Sequence, residues 1–389
     1  MMILHQSLPL SLYIHIPWCV QKCPYCDFNS HAIHGTLPEQ QYINALLADL
    51  EQDLALVDNR TIETIFIGGG TPSLFSGRSI EYLLREVKNR IAVADDAEIT
   101  LEANPGTVDK NNFIGYQAAG INRLSVGVQS FNDDHLQKLG RIHDYKDALE
   151  AVVAAQKAGF DNINVDLMFG LPDQTLNEAI RDIEIALNLG ITHISHYQLT
   201  LEPNTRFFLA PPPLPKDDLI WEFQTHCHGL LASKAFHCYE ISAFAKNASQ
   251  CRHNVNYWQF GDYLGIGAGA HAKITDIRDY TVTRRWKQRH PRLYLETAHN
   301  ASVVSGERTI NRDEFPLEFL MNALRLETGF NINLFPARTG LNLSVLEPVL
   351  SDLITEGLLT RTAARIQCTD KGWLFLDEIL QHFFPDTLK

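Results

Sequence analysis

Two hydrophobic patterns alternate along the first two-thirds of the chain. Short runs rich in β-branched and aliphatic residues predict buried strands. These strands are predicted at Leu12–Ile16, Thr64–Ile67, Glu98–Glu102, Arg123–Val128, Asn162–Met168 and His193–Leu199. Between them, apolar residues recur at the period of a packed helix, as Tyr42, Leu46 and Leu50 do. These helices are predicted at Gln41–Val57, Ile80–Ile91, Tyr145–Lys157, Leu176–Leu187 and Asp217–Ser233.

The alternation of strands and helices predicts an α/β fold with a parallel sheet and helices on its outside. Such a sheet is either an open, doubly wound sheet or a β/α barrel, and the residue pattern leaves both arrangements open. In either fold, ligands bind at the carboxyl ends of the strands. The polar and glycine-rich segments that follow the strands are therefore the first candidates for a functional site.

The last third of the chain follows a different pattern. A polar connection is predicted over Asp276–Thr309, which is rich in arginine and lysine. Beyond it, helices are predicted at Phe315–Leu326, Val345–Glu356 and Trp373–Phe383, with a short hairpin of Leu358–Thr360 and Ile366–Cys368. Helices with a small hairpin resemble a winged-helix module. We therefore expect a barrel with an extension in residues 1–275, the connection in 276–310 and a small helical module in 311–389.

Charge and cysteine usage narrow the function classes. The chain has a formal net charge of −13 at pH 7, which repels a phosphate backbone, so no nucleic-acid partner is expected. We expect neither a signal peptide nor a transmembrane segment. The seven cysteines lack the dense, even spacing of a secreted disulfide scaffold. A cytoplasmic protein with reduced thiols is expected.

Three of the cysteines form a cluster with metal-ligand spacing. Cys19, Cys23 and Cys26 are spaced C-x3-C-x2-C directly after the first predicted strand. Three thiolates on one short loop can ligate three irons of a [4Fe-4S] cluster and leave the fourth iron open. An open iron can bind a small chelate, such as the amine and carboxylate of S-adenosylmethionine. Zinc is the alternative, and its fourth ligand would be a residue such as His15 or His31.

This cysteine spacing after a first strand resembles the radical S-adenosylmethionine superfamily. The flanking residues Ser11-Leu-Tyr-Ile-His-Ile-Pro-Trp18 and Cys26-Asp-Phe28 are similar to those of the oxygen-independent coproporphyrinogen III oxidase family, and most of all to its haem-chaperone branch. The similarity runs through most of the chain, including the C-terminal module. It implies an incomplete (β/α)6 barrel, which would decide between the two sheet arrangements.

Further polar residues lie where the predicted strands end. Three consecutive glycines after Thr64–Ile67 expose backbone polar groups to a ligand. Arg141 offers a planar fork for a carboxylate, and Asp166 within a strand is costly unless it is paired or bound. The resemblance places S-adenosylmethionine against Tyr13, Tyr25, Gly69, Gly70, Thr71, Glu102, Gln129, Arg141, Asp166 and Thr200. It implies that the glycine segment binds the methionyl amine and that Arg141 binds the methionyl carboxylate. It also implies that Glu102 binds the ribose, with Gln129 and Asp166 near it.

Two departures separate the chain from the dehydrogenases of this family. Those enzymes carry a fourth cysteine where this sequence has Phe28, and they have a long N-terminal arm that is missing here. Both departures count against turnover of a porphyrinogen, so whether the chain is an enzyme stays open.

A third feature favours a haem chaperone. The segment His253-Asn-Val-Asn-Tyr257-Trp258 is similar to a motif of the chaperone branch. Neutral imidazole is a good ligand for haem iron, and two aromatic rings can cover the macrocycle. The resemblance therefore implies haem binding by His253, Tyr257 and Trp258, with Cys251 as an accessory ligand, and transfer of haem to an unidentified acceptor protein. The alternative is an oxygen-independent coproporphyrinogen III dehydrogenase.

Overall fold

The computed structural model describes residues 8–107, 110–246 and 249–385. Its strands are β1 (Leu10–Ile16), β2 (Trp18–Cys19), β3 (His31–Ala32), β4 (Ile62–Gly69), β5 (Val93–Ala103), β6 (Arg123–Gln129), β7 (Ile163–Phe169), β8 (His193–Gln198), β9 (His237–Glu240), β10 (Ala243–Ala245), β11 (Asp262–Ile266), β12 (His271–Asp276), β13 (Thr281–Lys287), β14 (Val304–Thr309), β15 (Phe330–Asn331), β16 (Leu359–Arg361) and β17 (Arg365–Cys368). Its α-helices are α1 (Glu39–Asp53), α2 (Gly77–Arg90), α3 (Lys110–Ala119), α4 (Asp133–Lys138), α5 (Tyr145–Lys157), α6 (Leu176–Asn188), α7 (Arg206–Leu209), α8 (Asp217–Ser233), α9 (Arg252–Trp258), α10 (Pro291–Thr297), α11 (Phe315–Ala323), α12 (Leu334–Thr339), α13 (Val349–Thr355), α14 (Asp370–Leu374) and α15 (Leu376–Gln381).

One large sheet organises the first three-quarters of the chain. Its strand order is β14-β13-β12-β11-β1-β4-β5-β6-β7-β8-β10-β9. Strands β1 and β4 to β8 run parallel in this order, and β11 adds to β1 in the same direction. Because β14 and β9 stand at opposite ends of the order, the sheet does not close on itself. The prediction of an incomplete (β/α)6 barrel is confirmed.

Local sequence signals explain why these elements form where they do. In β1, all positions except Tyr13 are buried, so the run packs as a strand covered on both faces. Helices α5 and α6 each begin with a capping box, formed by Asp144 with Asp147 and by Thr175 with Glu178. The bounds of α5 and α8 are those that the apolar period predicts.

The segment predicted as a polar connection carries regular structure. It contains β13, α10 and β14. The two strands extend the large sheet by antiparallel pairing. Several of its charges belong to ion pairs: Lys287 contacts Asp49 and Asp53 on α1, and Arg285 contacts Asp53 and Glu307. Lys287 and Arg285 therefore lie in this segment as partners of carboxylates, of which Asp49 and Asp53 are buried, and not as parts of a solvated loop.

The C-terminal module has a hydrophobic core of its own. Phe319, Phe335 and Leu350 are among its fully buried side chains, and Phe260 joins this core from outside the module. The predicted hairpin is present as β16 and β17, and β15 adds a third antiparallel strand. Across the described ranges, we find no helix long and apolar enough to span a bilayer.

Candidate functional site

The three clustered cysteines lie on the loop that follows β1. Short strands β2 and β3 fix this loop, because Trp18 pairs with His31 and Cys19 with Ala32. All three cysteine side chains line one cavity of about 450 Å³ at the carboxyl ends of the barrel strands. Burial raises the pKa of the Cys19 and Cys26 thiols. A nearby positive charge, such as iron, would therefore be needed to hold them as thiolates.

The donor set fits an iron–sulfur cluster better than zinc. Within the part of the chain that the structure describes, no group of three or more His, Cys, Asp or Glu side chains is arranged for a single metal ion. His15, one alternative for a fourth zinc ligand, has both ring nitrogens occupied, by Tyr13 Oη at 3.0 Å and by the Asn29 carbonyl at 2.9 Å. A [4Fe-4S] cube binds each of three thiolates through a different iron and needs no fourth protein ligand.

The glycine segment at the end of β4 lies directly beneath the cysteine loop. Gly69 has φ of +116°, and a Cβ there would lie 2.5 Å from the His15 ring. At Gly70 a Cβ would lie 2.6 Å from the Trp18 carbonyl oxygen. Only glycine allows this approach, which brings Gly69, Gly70 and Thr71 onto the cavity wall. Thr71 Oγ1 also donates a hydrogen bond to Cys19 Sγ at 3.3 Å.

Two partly buried carboxyl groups face the same cavity. Glu102 accepts a hydrogen bond from the Gly69 N–H at 3.0 Å. Burial, together with nearby Asp166, raises the pKa of Glu102 to about 8. Burial also raises the pKa of Asp166, against the hydrogen bonds that it receives from Asn164 and Ser125. Such groups suit a ligand that carries hydroxyls or a positive charge, and S-adenosylmethionine carries both a ribose and a sulfonium.

Arg141 brings an incompletely paired cation to the cavity. One terminal nitrogen donates to the Gly127 carbonyl at 2.6 Å and the other lies 3.9 Å from Cys23 Sγ. Its Nε is buried and has no hydrogen-bond partner among the described residues. A guanidinium with a buried free donor fits a carboxylate ligand, which is the methionyl end of the implied cofactor.

All of the predicted cofactor residues except Tyr13 line this cavity, including Tyr25, Gln129 and Thr200. Gln129 has φ of +72°, a strained conformation for a residue with a side chain. Its Oε1 accepts a hydrogen bond from Tyr197 Oη at 2.7 Å. Tyr197 lines the cavity and was not among the sequence candidates, although it lies within the predicted strand His193–Leu199. The individual roles of these residues stay predictions.

A second, larger cavity of about 910 Å³ adjoins the first. Phe28, Gly69 and Glu102 line both cavities. Tyr13 lines the larger cavity and not the smaller one, and it shares that cavity with Gly69 and Glu102 of the predicted cofactor residues. The aromatic side chains of the larger cavity are Tyr13, Phe28, Tyr257, Trp258, Tyr263 and Trp286, together with Phe260. This wall suits a flat apolar ligand.

His253 lies behind this wall and lines neither cavity. Its ring is fully buried, with Nδ1 at 2.8 Å from Thr64 Oγ1 and Nε2 at 2.8 Å from Tyr257 Oη. Burial lowers the pKa of His253 to about 3. In this arrangement His253 holds Tyr257 in place, and ligation of iron by His253, which stays a prediction, would require one of these bonds to break. Cys251 is buried as well, with its Sγ 3.7 Å from Glu98 Oε1.

Further residues of the larger cavity come from the segment predicted as a connection and the strand before it. His271, Lys273, Arg284, Trp286 and Arg289 all line this cavity. Sequence reasoning missed them as site residues. The available signal was the alternation on β13, where Arg284 and Trp286 share one face of the strand and Arg285 and Lys287 the other.

Comparisons with known proteins agree with this geometry. The family described as the radical SAM superfamily matches residues 13–186, and the HemN C-terminal domain matches residues 310–375. In solved structures, the chain matches the Escherichia coli coproporphyrinogen III oxidase HemN, a radical SAM enzyme, with a TM-score of 0.82. That match covers 97% of this chain and 90% of the other at 22% identity, and it shows the fold alone.

Curated relatives match at higher identity over nearly the full length. The heme chaperone HemW of Escherichia coli is 49% identical over 97% of this chain and 99% of that protein. The heme chaperone HemW of Haemophilus influenzae is 49% identical over 97% and 98%, and that of Bacillus subtilis is 35% identical over 97% and 99%. With this identity and coverage, and with the radical SAM barrel around its three cysteines, the chain belongs to the HemW family of radical S-adenosylmethionine proteins.

Proposed function

We propose that this chain is a haem chaperone, which binds haem and transfers it to an acceptor protein while carrying a [4Fe-4S] cluster with exchangeable S-adenosylmethionine. One observation carries the proposal: an aromatic cavity of about 910 Å³ adjoins the thiol-lined cavity through Phe28, Gly69 and Glu102. A cavity of this volume is in the upper part of the range of about 300–1,000 Å³ that is usual for ligand pockets. The relatives are named heme chaperones, which supports the same cargo.

The smaller cavity supplies the groups that the cluster and its cofactor need. Cys19, Cys23 and Cys26 would hold the cluster, which when bound supplies an electron-transfer centre with one open iron. The free Nε of Arg141 would bind the methionyl carboxylate. Glu102 would accept hydrogen bonds from the ribose hydroxyls. Because it lines both cavities, it lies close to either ligand.

The dehydrogenase alternative has weaker support. Phe28 stands where the enzymes of the resembled family carry a fourth cysteine; this residue is 59% exposed and lines both cavities. A phenyl ring can neither donate a proton nor ligate iron, but it can cover a macrocycle. This chain is proposed to work in a reducing compartment such as the cytoplasm, since none of its seven cysteines is in a disulfide.

The test uses the full chain, purified without oxygen and with its cluster reconstituted. We expect a Soret band on addition of haem, and replacement of that band by the Soret band of holomyoglobin when apomyoglobin is added as a reporter acceptor. In parallel, coproporphyrinogen III and S-adenosylmethionine are supplied under reducing conditions. Formation of protoporphyrinogen, or failure to bind haem, would overturn the chaperone assignment.

A further inference from the structure

We infer that His271 ligates the iron of haem bound in the larger cavity and that Arg289 binds a haem propionate. This inference rests on the proposed function, because it assigns the contacts of the proposed cargo. It concerns residues at one end of the β12–β13 hairpin.

The antiparallel strands beside β1 present one continuous face to the larger cavity. Register pairs Tyr263 with Lys273, Lys273 with Arg284, and His271 with Trp286. Directly paired residues point to the same side of a sheet, and all five of these side chains line the cavity. The His271 and Trp286 rings are stacked, with centroids 6.2 Å apart at 28°. An aromatic platform and an imidazole therefore lie side by side on this face.

The histidines near the aromatic wall differ in whether their ring nitrogens are free. His15 and His253 each use both nitrogens in hydrogen bonds. His271 makes no side-chain hydrogen bond with any residue that the structure describes, and it is exposed to the cavity. Partial burial, together with nearby Arg284 and Arg289, lowers its pKa, which keeps the ring neutral. A neutral imidazole with an available lone pair is the form that ligates haem iron.

The cations that line the larger cavity differ in whether they already have a hydrogen-bond or ion-pair partner. Lys273 is buried and donates to Asp262 at 2.8 Å, and Arg284 donates to Glu318 at 2.6 Å. Arg289 is exposed, and among the described residues its guanidinium forms no hydrogen bond or ion pair. It is thus the cation on this wall that is free to take a carboxylate. Haem, with an iron and a pair of propionates, matches one free imidazole and one free arginine better than the metal-free, four-propionate coproporphyrinogen does.

The iron contact is tested with haem and metal-free protoporphyrin IX. We expect His271→Ala to weaken haem binding about tenfold or more while protoporphyrin binding, followed by tryptophan quenching, stays unchanged. His271→Met should retain haem with a displaced Soret band, because the ligand atom changes from nitrogen to sulfur. His271 is exposed, so neither variant should disturb folding. The matched control is His237→Ala, at an exposed position on β9.

His253→Ala separates the two histidines. That variant frees Tyr257 and is expected to lower haem affinity without moving the Soret band. A band displaced in His253→Ala but not in the His271 variants would overturn the assignment of His271.

The propionate contact is tested with haem dimethyl ester, in which both carboxylates are blocked. We expect Arg289→Gln to weaken haem binding about 5- to 20-fold and to leave binding of the ester unchanged. Arg292→Gln, at an exposed arginine paired with Glu296, is the control. Equal loss with haem and ester, or equal effects of Arg289→Gln and Arg292→Gln, would overturn the role of Arg289.

The outcomes distinguish this inference from the proposed function. If the wild-type chain binds no haem, both fail. If wild-type protein binds haem and transfers it, but the His271 and Arg289 variants behave as their controls do, the function stands and the inference alone is overturned.

Discussion

Several polar side chains of the thiol-lined cavity have a protonation equilibrium or an unmade hydrogen bond that they would not have in water. Glu102 and Asp166 carry carboxyl groups whose pKa is raised by burial, and Arg141 has a buried Nε without a partner among the described residues. Each of these features costs folding free energy in the empty protein. A ligand with hydroxyls, a positive centre and a carboxylate would satisfy them together.

Arg141→Lys tests the carboxylate contact. Lysine keeps the positive charge but loses the planar fork, so we expect S-adenosylmethionine to bind about 10- to 100-fold more weakly, corresponding to about 1.5–3 kcal/mol. The iron content after reconstitution should stay unchanged, because the thiols are intact. Equilibrium dialysis of the reconstituted protein measures the affinity. Arg78→Lys, at an exposed position on α2, is the control, and equal affinity of the Arg141 and Arg78 variants would contradict this role.

Glu102→Gln tests the raised pKa through stability. The pKa of this carboxyl rises from its ordinary value of 4.5, which the unfolded chain keeps, to about 8 in the folded protein. Between pH 4.5 and about 8 this carboxyl is ionised in the unfolded chain and protonated in the folded chain. Rising pH therefore stabilises the unfolded chain, and the unfolding free energy of the wild type falls. Relative to the variant, we expect the wild type to lose up to about 1.4 kcal/mol per pH unit across this window.

Urea unfolding of the cluster-free, reduced proteins between pH 5 and 9 measures this difference. Glutamine keeps an acceptor for the Gly69 N–H, so the variant should fold. The control Glu51→Gln, at an exposed carboxylate of α1, should differ from the wild type by a nearly constant amount. A constant difference for Glu102→Gln as well would show that this carboxyl titrates normally.

For individual residues, the sequence could predict which of them lie close together but not in which direction each side chain points. Cys19 and Arg141 come after predicted strands and Glu102 ends one, and the carboxyl ends of parallel strands share one edge of a sheet. Tyr13 lines only the larger cavity, which the sequence could not show, because the cavity that a strand residue faces depends on how far the sheet curves. Tyr197 was missed because its partner, Gln129, lies 68 residues away in sequence.

Strands β13 and β14 show how a sequence pattern can be misread at the scale of elements. A run of arginines and lysines resembles a solvated loop when it is considered alone. In the fold, Lys287 lies buried against Asp49 and Asp53 of α1, and Tyr294 Oη donates to Asp49 at 2.8 Å. Pairs so distant in sequence leave no local signal, whereas the local period of α5 and α8 predicted those helices fully.

Lys287→Met tests this attachment of β13 to α1. Removing the cation leaves two buried carboxylates with fewer partners, so we expect a loss of about 3–5 kcal/mol of unfolding free energy at pH 7.5. Burial already raises the pKa of Asp49 to about 6, so the variant should recover part of this loss near pH 5, where Asp49 takes up a proton.

Urea unfolding at both pH values measures the effect of Lys287→Met. Arg292→Met removes an exposed cation whose partner is Glu296 and should cost less than about 1 kcal/mol. Equal losses for the two variants would contradict a buried ion cluster at this position.

The two largest hydrophobic cores of the described residues belong to the barrel and to the C-terminal module. The C-terminal core includes Phe260, which lines the larger cavity, and Asn322 of α11 lines it as well. Arg325 reaches back from the module, with its guanidinium 4.4 Å from the centre of the Trp258 ring. The module is therefore part of the wall of the larger cavity, whereas the thiol-lined cavity draws its lining from residues 19–202.

Arg325→Ala tests whether the C-terminal module supports haem binding. The stacked guanidinium keeps Trp258 in place on the cavity wall, and a cation–π contact contributes about 0.5–2 kcal/mol. We expect haem affinity to fall about 2- to 10-fold, while bound iron and affinity for S-adenosylmethionine stay at wild-type values. Arg312→Ala removes an exposed arginine of the same module and should change neither ligand. Equal loss of both ligands would mean that the variant disturbs the whole fold. Unchanged haem binding would mean that the module only packs against the barrel.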